Sequence, residues 1–178
     1  GPARQQLMQI LQVNPRLSQA WAYLAVIAHL ENDLATERAW HAIASQWPAD
    51  DANVDYWIGL KLSQKYRFAE GASYQRRALE QNPLHTRARI QLSQDLLRLG
   101  KEEEGWRLAD VVNERDQYNI VAHNLITLRD RLDDFQTLER DGFIVRMERR
   151  EAAIYGERVL ALLSRARQSL TAKYEIQL

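Results

Sequence analysis

Residues 52–83 read ANVDYWIGLKLSQKYRFAEGASYQRRALEQNP, and the rest of the chain echoes them. Within this stretch Ile58-Gly59 places a small residue after an aliphatic one. The same kind of pair stands at Leu24-Ala25, Leu92-Ser93 and Ile126-Thr127, always 34 residues apart. Self-similarity at that interval is the mark of a stacked array of helix pairs. Further columns run through Trp40, Tyr74 and Leu108, and through Ile10, Ala44, Ala78 and Val112. Asn32, Tyr66 and Gly100 recur as turns between the two helices of a pair, while Asn14-Pro15, Trp47-Pro48 and Asn82-Pro83 close successive units. The proline steps are 33 and then 35 residues, but the flanking columns keep register, so the slip is confined to one turn.

Two helices pack closely only where small side chains let their backbones approach, with larger ones filling the grooves beside them. Proline lacks the donor that a continuing helix needs and pushes its predecessor out of helical geometry, which ends each unit. One pair cannot bury its own apolar stripe, so successive pairs share a continuous core.

These columns resemble the tetratricopeptide repeat family. Unit 52–83 carries the resemblance best, with Ile58-Gly59, Phe68, Gly71, Tyr74, Ala78 and Asn82-Pro83; unit 86–117 follows with Leu92, Gly100, Gly105 and Val112. Unit 18–48 has Trp21, Leu24 and Ala25 but places Glu37 in the column of Gly71 and Gly105, which predicts a wider helix crossing. The resemblance spans residues 3–132: a partial repeat at 3–15 holding a second helix, three full repeats, and the first helix of a fourth at 119–132. It implies a mostly all-α fold, a right-handed solenoid of antiparallel helix pairs. Gly1-Pro2 reads as the scar of a cleaved tag. A 35-residue RNA-reading repeat and an irregular helical bundle are the competing architectures. RNA reading calls for a basic groove, whereas 24 Lys and Arg here balance 24 Asp and Glu.

From Phe135 the helical period breaks. Two short runs, from Phe135 and from Phe143, flank Asp141-Gly142, a hairpin turn signal. Phe143, Val145 and Met147 are expected on one side of the hairpin, with Ile144, Arg146 and Glu148 on the other. A long amphipathic helix is expected over about 150–173, its apolar face running through Ala152, Tyr155, Val159, Leu162, Ala166, Leu170 and Tyr174. Region 133–178 is thus either a cap on the array or the start of a further domain. It resembles the segment leading into gluzincin-type zinc peptidase domains that follow tetratricopeptide repeats in some bacterial proteins. No His-Glu-x-x-His motif accompanies it, so no zinc ligand or general base is implied here.

Catalysis by these residues is not expected. The histidines (His29, His41, His85 and His123) fall in different helices or turns, and no two of them stand at the i, i+4 spacing of a helical zinc site. Cysteine is absent, which excludes thiolate chemistry but fits a cytoplasmic or a periplasmic location equally. No apolar run approaches the roughly 20 residues of a membrane span. Neither cofactor, metal nor nucleic acid is expected, and self-association stays open. In the family the first helices of successive pairs line a concave groove for a peptide or partner protein. Outward positions there include Gln19, His29, Asn53, Tyr56, Trp57, Arg87, Gln91, Gln94, Asn124 and Arg131. Amides pair with a peptide backbone, Arg87 with a carboxylate, and Tyr56 offers a stiff anchor; the bland alternative is a solvated helix face. Ala22, Val26 and Trp57 stand where a chaperone-tail clamp wants polar or basic groups, so that ligand is not expected. The expected role is a protein-interaction scaffold; the alternatives are a non-catalytic arm of a larger enzyme, a zinc metallopeptidase above all, and a self-association module.

Overall fold

The computed structural model describes residues 1–47 and 51–176. Among the described residues the order is α1 (Pro2–Val13), α2 (Ser18–Leu30), α3 (Leu34–Ala44), α4 (Asp51–Ser63), α5 (Phe68–Gln81), α6 (Thr86–Arg98), α7 (Glu102–Arg115), α8 (Ile120–Leu132), β1 (Phe135–Arg140), β2 (Phe143–Glu148) and α9 (Arg149–Tyr174). The chain divides into two compact units, 1–125 and 126–178, with the division inside α8.

In the first unit α2 packs on α3, α4 on α5 and α6 on α7, and α4 also touches α2 and α6. The turns within the pairs are copies of one another. Asn32, Tyr66 and Gly100 have φ of 59°, 62° and 73°, the left-handed conformation that lets a helix reverse. Asp33, Arg67 and Lys101, each one residue later, donate their N–H groups to the carbonyls of Ala28, Leu62 and Leu96 at 2.9, 3.0 and 2.9 Å. Turns between the pairs repeat as well. The Asn14, Asn82 and Asp116 side chains accept from the backbone N–H of Arg16, Leu84 and Tyr118 at 3.1, 3.0 and 3.1 Å. Asp116 is followed by Gln117, and α7 still ends there, so the side-chain acceptor makes this turn without proline. The expected turn at Pro48 lies outside the described residues.

Burial follows the columns. Leu24, Ala25, Ile58, Leu92, Ser93, Ala44, Ala78 and Val112 are buried, whereas Ile10 and Thr127, at the outermost positions of their columns, are exposed. The tightest contact is between α4 and α5, where a Cβ added to Gly59 would lie 2.8 Å from the Gly71 carbonyl oxygen and 2.6 Å from Gln75 Nε2. Glu37, in the glycine column of its pair, is buried and accepts a hydrogen bond from the Tyr74 hydroxyl.

In the second unit β1 and β2 pair antiparallel from Phe135↔Glu148 to Arg140↔Phe143. Asp141 and Gly142 both have positive φ, 50° and 79°, as the two-residue turn requires. Phe143, Val145 and Met147 are half-buried while Ile144 and Arg146 are exposed, in line with the expected alternation; Glu148 instead caps α9, accepting from Arg150 N–H at 2.9 Å. The expected face of α9 needs correction. Its buried residues are Ala152, Gly156 and Leu160, and Tyr155 and Leu162 are 50% and 59% exposed. Gly156 sets this rotation, because Leu138 of β1 occupies the space a Cβ would take, 2.5 Å from its Cδ1.

Gly59→Ala should destabilise the protein by about 2 kcal/mol, as overpacking against backbone outweighs the better helix propensity. Gly100→Ala should cost about 1 kcal/mol through its positive φ alone, since nothing lies within 4 Å of the added Cβ. Urea unfolding measures both, and a Gly100→Ala loss larger than that of Gly59→Ala would contradict this packing.

Candidate functional site

The site is built where α4 and α6 lie side by side, and it begins with how α6 starts. His85 is the N-cap residue: its Nδ1 accepts the Ala88 N–H at 3.1 Å. That leaves the proton on Nε2, which faces Asn53 Oδ1 of α4 at 3.1 Å and donates to it. The Tyr56 ring lies against the same imidazole, with centroids 5.1 Å apart. Burial pushes the Tyr56 hydroxyl above its ordinary pKa, with Arg87 pulling it back. Burial pushes His85 below its ordinary value, and Arg87 adds to that, so the ring is neutral near pH 7. Asn53, Tyr56 and His85 therefore form one fixed platform with the exposed Arg87 beside it.

Two turns along α4, Ser63 donates to Asp95 Oδ2 of α6 at 2.7 Å and to the Gly59 carbonyl at 2.9 Å. Gln91 Nε2 supplies the other oxygen of Asp95 at 2.9 Å. Asp95 is fully buried, and that burial raises its carboxyl pKa against the lowering pull of Ser63 and Gln91. Above this bond lies an open groove of about 330 Å³, lined by Leu60, Ser63 and Gln64 of α4 and Gln91, Gln94 and Arg98 of α6, with Tyr66 and Phe68 at its end. Arg98 stacks over the Phe68 ring at 5.3 Å. Arg87 and Arg98 stand at the two ends of the α6 strip, and neither makes an ion pair among the described residues.

Of the expected groove residues, Asn53, Tyr56, Arg87, Gln91 and Gln94 thus come together on α4 and α6. Trp57 is half-buried against the core cluster of Val54, Ile58 and Leu62 and serves as packing. His29 is largely buried, with Nδ1 3.1 Å from Glu37 and Nε2 3.8 Å from Glu70, which removes it from the groove. Gln19 holds the Tyr23 hydroxyl at 2.8 Å. Asn124 is exposed on the part of α8 in the first unit, and Arg131 is exposed in the second unit.

Sequence reasoning missed a polar cluster between α3, α4 and α5. Asp55, with no exposed surface, is held by His41 Nε2 at 2.9 Å, Arg77 at 3.2 Å and Gln81 Nε2 at 2.9 Å. Arg77 also covers the Tyr74 ring at 4.9 Å. Desolvation, then the bond to Glu37, raises the Tyr74 hydroxyl far above its ordinary pKa. A buried carboxylate with three donors around it is held structurally, as unpaired burial would cost several kcal/mol (roughly 3–5). Its partners are 14 to 26 residues away in sequence, so no local spacing announces them. Among the described residues no three His, Cys, Asp or Glu side chains converge to hold a metal, and no helix is long and apolar enough to cross a membrane.

No protein-family model and no curated protein sequence matches the chain.

His85 gives a pH signature. Its folded pKa lies below the unfolded value of about 6.5, so the stability it contributes is complete above that value and is lost as pH falls through the folded one. Protonating Nδ1 removes the acceptor of the Ala88 N–H. Thermal midpoints measured from pH 8 to 5 should fall more steeply for the native chain than for His85→Asn, which caps without titrating. Equal slopes would contradict the assigned role of the ring.

Proposed function

We propose that this chain is a tetratricopeptide-type interaction module whose α4–α6 face binds an extended peptide segment of a partner protein. The observation that carries the proposal is the strip running from the Asn53/Tyr56/His85 platform to the groove beside Gln91 and Gln94. The strip has what peptide recognition needs: a fixed aromatic surface, amides to meet a main chain, and cations at both ends. Arg87 and Arg98 favour a segment carrying an acidic side chain or a terminal carboxylate. Repetition supports the family reading, since three left-handed turns and three side-chain-closed turns keep one register. Nothing in this role calls for a cofactor.

The second unit supports an additional reading as the arm of a larger protein. Its helix α9 carries an open groove of about 640 Å³ where Tyr155 and Leu162 are exposed between Arg158 and Arg165, an apolar surface suited to covering by another domain.

Panning a displayed library of short extended peptides on the native chain tests the main proposal. Enriched peptides should lose at least about tenfold in affinity for Tyr56→Ala/Arg87→Ala, while the helical signal and melting temperature change little. Undiminished binding to that variant would remove the α4–α6 face as the binding site.

A further inference from the structure

Arg89 lies in the first turn of α6 and Arg115 is the last residue of α7, and these two helices pack on each other as one pair. Repetition shows that the two positions face each other. The residues 34 positions earlier are Asp55 and Gln81, which meet at 2.9 Å across the α4–α5 pair. There the place is held by a buried carboxylate, with Gln81, Arg77 and His41 as its donors. One repeat later Arg89 replaces the carboxylate, Arg115 the amide and Val111 the arginine. The acid is gone and two guanidiniums stand in its place. Arg89 is half-buried and donates to the Pro83 carbonyl, while Arg115 is exposed. Neither meets a carboxylate among the described residues. Burial, then the charge of Arg115, pulls the Arg89 guanidinium below its ordinary pKa, as expected of like charges held near one another.

Two adjacent cations repel, and an anion supplied from outside relieves that repulsion by taking the part that Asp55 plays one repeat earlier. Charge selects the anion. A carboxylate neutralises one cation of the two, whereas a phosphate monoester carries close to two negative charges near pH 7 and three acceptor oxygens. Each guanidinium presents its N–H groups in a planar fork that matches those oxygens. The surroundings select the carrier. Leu84 and Tyr118 stand two residues after Asn82 and Asp116, at equivalent places in successive turns, and are 70% and 94% exposed. Leu84 directly follows the Pro83 carbonyl that Arg89 holds, and Tyr118 comes three residues after Arg115. They put apolar surface next to the cations, for the residues on either side of a phosphorylated side chain. A membrane would call for a broad basic field, whereas Lys and Arg here number 24 against 24 Asp and Glu. We propose that Arg89 and Arg115 bind a phosphate monoester carried on a peptide segment of a partner, at a place separate from the α4–α6 face.

The test is an array of serine-phosphorylated peptides offered to the native full chain beside the same peptides unphosphorylated and with Glu in place of the phosphoserine. Phosphorylated members should be retained at least about tenfold better than either counterpart. Arg115→Gln, which leaves the bond from Arg89 to Pro83 in place, should erase that preference, as should Arg89→Gln/Arg115→Gln. The melting temperature of Arg115→Gln should hold or rise, because a like-charge contact is removed. The α4–α6 variant Tyr56→Ala/Arg87→Ala should keep the preference, which separates this place from the peptide face. No preference for phosphorylated over Glu peptides would overturn the inference, and so would a preference that survives Arg115→Gln. Inorganic phosphate bound as tightly as the peptides, or tighter capture by phosphatidylcholine vesicles containing phosphatidic acid, would overturn it too, by placing the anion on a free ion or a lipid.

Discussion

The structure depends on one contact, the approach of the α4 and α5 backbones at Gly59 and Gly71. A Cβ on Gly59 would lie 2.8 Å from the Gly71 carbonyl oxygen, so only glycine permits the pair to close as it does. The bare Gly71 also leaves room for the Ser63 hydroxyl, which meets the Gly59 carbonyl of its own helix and Asp95 of the next pair. The bond to Asp95 ties α6 to α4 at one end, and the His85–Asn53 bond ties them at the other. The face between these two ties is the strip proposed to bind a peptide. A backbone contact thereby fixes the spacing of side chains that never touch it.

Apolar burial makes the stack stable, and buried polar groups specify its register. The hydrophobic effect is non-directional and follows buried area, so a small slide of one helix along another changes it little. Hydrogen bonds with a buried carboxylate change sharply, because a slide strands the charge. Asp55 draws on α3 and α5, and Asp95 on α4 as well as its own helix. The buried Glu37 adds a third such tie, to Tyr74 across α3 and α5. Each successive pair is therefore held by a polar group that has partners at one setting only.

How much of this is legible in the sequence depends on whether the cause is local. The turns are local: Asn32, Tyr66 and Gly100 adopt positive φ at the positions where they recur, and Asp141-Gly142 forms the hairpin turn by the same backbone requirement. The columns of small and aliphatic residues are read correctly wherever a helix has neighbours on both sides. They lose meaning at Ile10 and Thr127, where those neighbours change. Glu37 looks like an error in a glycine column until Tyr74 and His29, from other helices, come into view. The rotation of α9 was misread for a related reason. Counting apolar residues gives a stripe through Tyr155 and Leu162, but the smallest residue, Gly156, decides which side approaches the strands. Trp57 and His29 left the expected groove because helical spacing alone does not separate a residue facing open space from one facing the adjacent helix.

Native-state hydrogen exchange followed residue by residue reads the central contact most directly. If the Gly59–Gly71 approach and its ties to Asp95 organise the stack, the amides of α4, α5 and α6 should be the slowest to exchange and should open together, as one cooperative unit. The hairpin and α9 should open separately. Exchange of α4 and α5 at unrelated rates, or no slower than that of α1, would contradict this account.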